Sequence, residues 1–318
     1  MTQIAEPGER AAPGFAGTAA ERKPRTRRKF NIQSVLGTTP MIATAIGVFV
    51  ICIIFSIIWS FTSSKLFPNF NFIGLQQYER LWRTDRWIIS VQNVFVFGAL
   101  SMVGGMIFGY LLAVFLDQRI RQEDPFRSIF LYPFAMSLVV TGLVWQWMFD
   151  PNLGIQSAVR QLGWTNFEFA PLVKQETALY GLVLGGLWNG VGVTMAIMLA
   201  GLRGVDSEIW KAAKVDGIPT WKTYLFIVLP MMKGAIATAF ILSATGVVRV
   251  FDIVIAMTQG GPGVSTQMPA IYVIQHITDR ANVAQGMAAA TMMLVPVMLI
   301  IGLQYLFQWN AKRKAARI

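Results

Sequence analysis

Side chains able to do chemistry are sparse in this sequence, and their neighbours limit what they can do. His276, the single histidine, sits in YVIQHITDR without a cysteine or clustered carboxylates beside it, so no metal-ligating set forms there. Cys52, the single cysteine, lies midway along an apolar run and reads as core or lipid-facing rather than reactive. Being alone, it also excludes an intrachain disulfide. TQGGPGVST (258–266) has the glycines of a phosphate-binding loop but not the Gly-Lys-Ser/Thr ending, and reads as a Gly/Pro turn between helices. No Walker sequence and no acid/base or nucleophile constellation occurs elsewhere, which argues against ATP hydrolysis on this chain and against a membrane enzyme.

What remains are polar groups inside apolar runs, where their cost in lipid raises a functional suspicion. They are Thr141, Gln146 beside Trp145, Asn189 in LWNGVG, Ser243 and Arg249. Hydroxyls and amides next to aromatic faces (Trp145, Trp147, Trp188, Phe251) form the mixture that suits a sugar. The same residues can instead bond to neighbouring helices or backbone, and both readings stand. Gly190, Gly192 and Gly246 read as positions that let helices pack closely. The intramembrane carboxylates that ion-coupled secondary transport would need are nearly absent, since Asp117, Asp150 and Asp252 all fall at the ends of apolar runs.

These residues must be positioned by membrane helices. Charged residues make up 14% of the chain against roughly 25% in soluble domains, and mean hydropathy is +0.52. Six runs are long enough to span a bilayer, at about 40–62, 93–116, 129–149, 178–201, 230–250 and 284–308, the third and fifth being the least uniform. The first is too long and too far into the chain for a signal peptide. Six spans put both termini on one side, and with that side inside, 19 of the 27 Lys/Arg lie in inner segments. The positive-inside rule then places both termini in the cytoplasm, and the net +11 serves topology and lipid headgroups rather than nucleic acid.

Residues 1–38, with the basic run ERKPRTRRKF, read as a disordered cytoplasmic tail, 39–312 as the transmembrane domain and 313–318 as a cytoplasmic tail. The segment 64–87, rich in Phe, Trp and Arg, suits the headgroup interface.

One segment begins out of keeping with lipid: EIWKAAKVDGIPTWKTYLFIVLP (208–230), which starts in the inner loop 202–224 and runs on into the fifth apolar run. Asp206 or Ser207 can cap a helix that Glu208 favours through the dipole, Gly217 can stop it, and Pro219 prevents its continuation. Thr220 can cap the next helix. The helix over 206–217 repeats Ile209, Ala212, Ala213 and Asp216 on one small, weakly apolar face. It is too polar to insert and too short to stand alone, so it either rests on the membrane surface or needs a partner.

Several stretches together resemble the permeases of binding-protein-dependent ABC importers. Ala212, Ala213, Asp216 and Gly217 fit the E-A-A-x(3)-G cytoplasmic loop of that family, followed by Phe226 and Leu229-Pro230. LYPFAMSLVVTGLVWQWMFDPNLG (131–154), FDIVIAMTQGGPGVST (251–266), AQGMAAATMMLV (284–295) and GLQQYERLW (74–82) are similar to the carbohydrate-uptake branch, and to the first permease of its pairs in the maltose and glycerol-phosphate systems. The resemblance covers roughly 40–312 and departs at Lys211, where the family's loop begins with Glu; Glu208 is the acidic residue one turn earlier.

The resemblance implies an all-α permease fold of six transmembrane helices in a bacterial inner membrane. Implied partners are a second permease, two copies of an ATP-binding subunit and an extracytoplasmic solute-binding protein, with ATP and Mg on the ATPase and no cofactor on this chain. The loop helix, with Glu208, Lys211, Ala212, Ala213, Asp216 and Gly217, would dock in a cleft of the ATPase and couple its closure to alternating access. By matched position the sugar would meet Thr141 or Leu138, then Asn189, Gly190 and Val193, then Ser243, Val247 and Val250, with Trp145 and Phe251 near them. Because Val193, Val247 and Val250 are aliphatic, this pocket should differ from that for maltose. A polyol or glycerol-phosphate importer is the alternative, and Arg249 is the residue that favours an anion.

Overall fold

The computed structural model describes residues 32–67, 69–118, 121–248 and 250–315. Most of the expected N-terminal tail, Arg249 and the end of the C-terminal tail lie outside the described residues. The chain divides into two compact units, 1–50 and 51–318. In the first, helix α1 (Ile32–Thr44) runs into a π-helical stretch, Ala45–Val50. The second contains α2 (Ile51–Ser60), α3 (Gln76–Trp82), α4 (Asp85–Asp117), α5 (Glu123–Ala135), α6 (Leu138–Met148), α7 (Ile155–Gln161) and α8 (Gln175–Arg203). It continues with α9 (Ser207–Val215), α10 (Thr220–Met231), α11 (Lys233–Val248), α12 (Asp252–Met257), α13 (Pro269–Thr278) and α14 (Val283–Ala315). Among the described residues the only strand-like pairing is an isolated bridge between Thr62 and Phe72.

Among the described residues, three continuous helices can cross a membrane by length and composition: Gly37–Ser60, α4 and α8. Two further pairs qualify only when taken together, because α5 and α6 meet at 99° and α10 and α11 at 75°. Against the six expected spans, the described residues thus give three, or five if each bent pair is one span; the sixth expected run corresponds to the shorter apolar stretch Val283–Leu299 of α14. The less uniform third and fifth runs are the bent ones. Pro230 explains part of the second bend: it withdraws the N–H that the Phe226 carbonyl would accept, and Thr223–Val228 adopts π-helical geometry just before it. The outward surface is apolar, as Phe95, Val103, Ile107 and Leu111 of α4 illustrate, which suits lipid rather than water.

The most extensive helix pairing is between α4 and α8, and small residues allow it. A Cβ added at Gly109 would fall 2.6 Å from Thr194 Cγ2, and one at Gly186 would fall 3.0 Å from the Phe97 ring. At Gly192 a Cβ would overlap the carbonyl of Phe130, so the backbone of α5 rests directly on α8. Of the three glycines expected to ease packing, only Gly192 does so. Around Gly190 and Gly246 there is open space.

Among the described residues three apolar cores form: one gathers Leu81, Trp87, Tyr272 and Ala289, and the other two lie along α8. Of these two, the first joins Leu179, Leu182 and Val183 of α8 to Trp145, Phe149, Ile253, Val254 and Met257. The second joins Met195, Met198, Leu199 and Leu202, further along α8, to Ala113, Leu116, Tyr224, Val228 and Met232. Segment 64–87 forms α3 and a loop with Phe67, Phe70 and Phe72 exposed, consistent with an interfacial position.

Gly192→Ala should destabilise the chain by about 1–3 kcal/mol or more, because the backbone it meets cannot yield like a side chain. Gly190→Ala and Gly246→Ala should cause no loss. Thermal unfolding in detergent, read by tryptophan fluorescence, distinguishes these outcomes.

Candidate functional site

Beside the first core, along the stretch of α8 that precedes the second, lies a cavity of about 630 Å³. Its walls are α4 (Phe97, Ser101, Met102, Gly105), the middle of α8 (Gly186 to Thr194) and α11 (Leu242, Ser243, Gly246, Val247), closed by Val250 to Ile253, Phe134 and Leu138. Four of the sequence-derived candidates, Asn189, Gly190, Ser243 and Phe251, line it, together with Leu138, Val193, Val247 and Val250. The surface is mostly aliphatic and aromatic with a few polar groups, the usual make-up of a small-molecule site.

Thr141 and Trp145 lie elsewhere. Thr141 is fully buried behind Asn189, with its Oγ1 3.4 Å from Asn189 Nδ2. Trp145 is packed in the first core, 5.0 Å from the ring of Phe149 and 6.0 Å from that of Trp188, and its Nε1 has no hydrogen-bond partner. Both support the cavity wall from behind rather than forming it. Gln146 borders a different, smaller cavity of about 320 Å³ beside Pro262. The 99° break between α5 and α6 sets their helical phase, and a straight span does not anticipate it.

Asn189 holds that break in place. Its Nδ2 donates at 2.7 Å to the carbonyl of Pro133 at the end of α5, which also accepts from Met136 N at 3.2 Å, a tighter bond in place of the regular helical one. Both readings of Asn189 therefore apply, since it faces the cavity and bonds a neighbouring backbone.

Five positions at or near the cavity were not among the sequence-derived candidates. Phe97, Ser101 and Gly105 present one face of α4 to the cavity at four-residue spacing, a signal visible in the sequence but submerged in a uniformly apolar run. Asp252 also borders the cavity and is the one ionisable residue among its described lining, although it sits at a span end. Asn93 of α4 donates to the carbonyls of Ser265 and Gln267, both at 3.0 Å, and clamps the loop after α12. Inside that loop Thr258 and Thr266 pair their hydroxyls at 2.7 Å, so TQGGPGVST is an internally bonded turn. His276 is buried with its ring stacked 3.9 Å from that of Tyr272, and burial holds its pKa below the usual value.

Helix α9 is the second element of interest. Asp206 caps it, its side chain accepting from Glu208 N at 3.0 Å. Its far end closes with Gly217 N donating to Lys214 O (3.2 Å) and Ile218 N to Ala213 O (2.9 Å), a Schellman turn that places Gly217 at φ +68°. Pro219, rather than Thr220, occupies the N-cap position of α10, and Thr220 begins that helix. The expected small-residue face is split. Ala213 is 4% exposed and is buried by this chain, whereas Glu208, Lys211, Ala212, Asp216 and Gly217 are exposed. Trp210, one turn before Ala213, packs edge-on against Tyr224 at 4.8 Å and fixes the inward side. Lys211 Nζ lies 3.6 Å from Glu208 Oε1, an exposed pair that contributes little to stability.

An apolar-surfaced helical bundle with two broken spans around a cavity defines a polytopic membrane protein. Residues 105–313 match the family described as binding-protein-dependent transport system inner membrane component. A probable ABC transporter permease protein of Pyrococcus horikoshii is 34% identical over 273 residues, covering 84% of this chain and 92% of that one. A xylose/arabinose import permease protein of Haloferax volcanii is 29% identical over 245 residues (76% and 77% covered). A diacetylchitobiose uptake system permease protein of Streptomyces coelicolor is 27% identical over 288 residues (85% and 80% covered). In fold, a crystal structure of a bacterial ABC transporter that imports the acidic polysaccharide alginate superposes with a TM-score of 0.74 at 16% identity, covering 86% of this chain and 94% of that chain. The chain belongs to the binding-protein-dependent transport system inner membrane component family, the permeases of ABC transporters.

Replacing Gly217 by Ala should cost about 1–2 kcal/mol, purely from the left-handed backbone, because a Cβ there meets open space. Asp206→Ala should cost about 1 kcal/mol through loss of the cap. Amide exchange across 207–219 should accelerate in both variants and remain unchanged in α8.

Proposed function

We propose that this permease carries a sugar across a bacterial inner membrane by alternating access, with both termini in the cytoplasm. It pairs with a second permease, receives its solute from an extracytoplasmic binding protein and is driven by two ATP-binding subunits, on which ATP and Mg²⁺ reside. The exposed side of α9, with Glu208, Lys211, Ala212, Asp216 and Gly217, meets the ATP-binding subunit, while Trp210 and Ala213 anchor the helix to its own chain. The observation that carries the reading is the cavity: about 630 Å³, walled by α4, α8 and α11, with Asn189 and Ser243 as polar groups and Phe251 as a ring among aliphatic side chains. Two bent helix pairs, α5–α6 and α10–α11, contribute to its walls, and movement at those bends can open it to either side.

A neutral solute is favoured over a glycerol-phosphate. Among the described lining residues the ionisable one is Asp252, whose carboxylate would repel an anion. The sugar-importing relatives support the same substrate class.

In proteoliposomes containing the assembled transporter, uptake of radiolabelled xylose, glucose or maltose should require ATP and binding protein, and glycerol phosphate should not be taken up. Gly246→Trp, which fills the open space beside Ser243, should reduce uptake more than tenfold while the ATP-binding subunits still co-purify. Uptake by the permease without any ATP-binding subunit, or unimpaired uptake by Gly246→Trp, would refute the proposal.

A further inference from the structure

Helix α9 does not reach the cavity, so any movement imposed on it must pass through other residues. Its inward side makes one prominent side-chain contact, the edge-on packing of Trp210 on Tyr224. Tyr224 is 7% exposed and sits in the second core with Val228, Met198 and Leu202. Its hydroxyl donates to Asp117 Oδ2 at 2.8 Å, and Asp117 is the last residue of α4. Its carbonyl accepts the Tyr110 hydroxyl of α4 at 2.8 Å. A third bond to the same residue comes from Leu229 N, inside the π-helical stretch that leads towards the bend into α11. Three elements therefore converge on one side chain and its peptide: α9 through Trp210, α4 through Asp117 and Tyr110, and α10 through the backbone.

Two of these elements lead to the cavity. Helix α4 is continuous from Asp117 back to Gly105, Ser101 and Phe97 on the cavity wall, roughly 18 Å from Asp117 to Gly105 at the rise of an α-helix. Helix α10 leads across the bend into α11, which bears Ser243, Gly246 and Val247. The Tyr224–Asp117 bond is charge-assisted and half-sheltered, a combination that holds its geometry better than a neutral exposed bond. A π-helical turn at this position also fits a functional joint, since such turns gather where helices must flex.

We propose that Tyr224 is the positioning residue that ties displacement of α9 to the two cavity walls, with Trp210 as the lever acting on it and Asp117 as its anchor on α4. The inference rests on the permease reading above and adds the internal connection within this chain. Nothing in it depends on which sugar is carried.

The test uses the complete transporter in nanodiscs, in a Cys52→Ser background, with Mg·ATP as the only ligand. An environment-sensitive fluorophore at Val215→Cys, an exposed position on α9, reports movement of that helix. Spin labels at Met102→Cys and Leu242→Cys report the distance between the α4 and α11 walls. In the unmutated relay both signals should respond to nucleotide. Tyr224→Phe, which removes a single oxygen, should retain the α9 response and reduce the Met102–Leu242 distance change at least threefold. Asp117→Asn, which keeps an oxygen able to accept from Tyr224, should preserve most of that change. An intact cavity response in Tyr224→Phe would overturn the relay, and so would simultaneous loss of both responses, which is what mere undocking of α9 predicts. If the unmutated relay responds at neither position, the permease reading itself fails and the relay falls with it.

Discussion

The hydrogen bond from Asn189 Nδ2 to the carbonyl of Pro133 is small, but the arrangement around the cavity depends on it. A span that turns through 99° releases backbone carbonyls into a region where water cannot satisfy them, and each would cost on the order of several kcal/mol unpaired. At the end of α5 the Pro133 carbonyl accepts from Met136 N at 3.2 Å, and Asn189 adds a second, shorter bond from α8. One turn further on, Gly192 lets the α5 backbone lie directly against the same helix. The polar contact and the absent side chain together fix where the bent span crosses α8. That crossing sets the position of Phe134 and Leu138 at the cavity and turns Thr141 and Trp145 away from it.

The bend also separates the two cores along α8. A straight third span would continue one apolar interface along the length of α8, whereas the break leaves Leu179–Val183 packing with one set of neighbours and Met195–Leu202 with another. Protein interiors resist continuous deformation, so movement concentrates at boundaries between well-packed bodies. The cavity takes part of its wall from the first core and lies along α8 before the second. Helix α9 is attached to one body only, through Trp210 and Ala213, which makes it a handle on that body rather than a free connector.

Much of this was legible in the residues. Asp206, Gly217 and Pro219 delimit α9 because capping and left-handed termination are local chemistry, and the structure places the ends, Ser207 and Val215, within two residues of that reading. Helices α4 and α8 were evident from length and hydropathy. The bent pairs showed only as uneven apolar runs, since hydropathy averages over a break without locating it. The helical phase of Thr141 and Trp145 relative to the cavity was lost for the same reason. The inward side of α9 was misjudged differently: the small residues suggested one face, while the bulk of Trp210 decided the actual one. Asp252 looked like a span-end residue because its approach to the cavity depends on α12 folding back against α6, a tertiary contact with no sequence period.

The central claim is that the cavity along α8 is the solute path and changes sides with nucleotide. Gly190, which faces open cavity space, is the position to probe. A Gly190→Cys transporter in a Cys52→Ser background, reconstituted with its ATP-binding subunits, would be treated with a membrane-impermeant thiol reagent from each side in turn. The account predicts reaction from the cytoplasmic side without nucleotide, and from the opposite side when the ATP-bound state is trapped. Reaction from the same side in both states would contradict it.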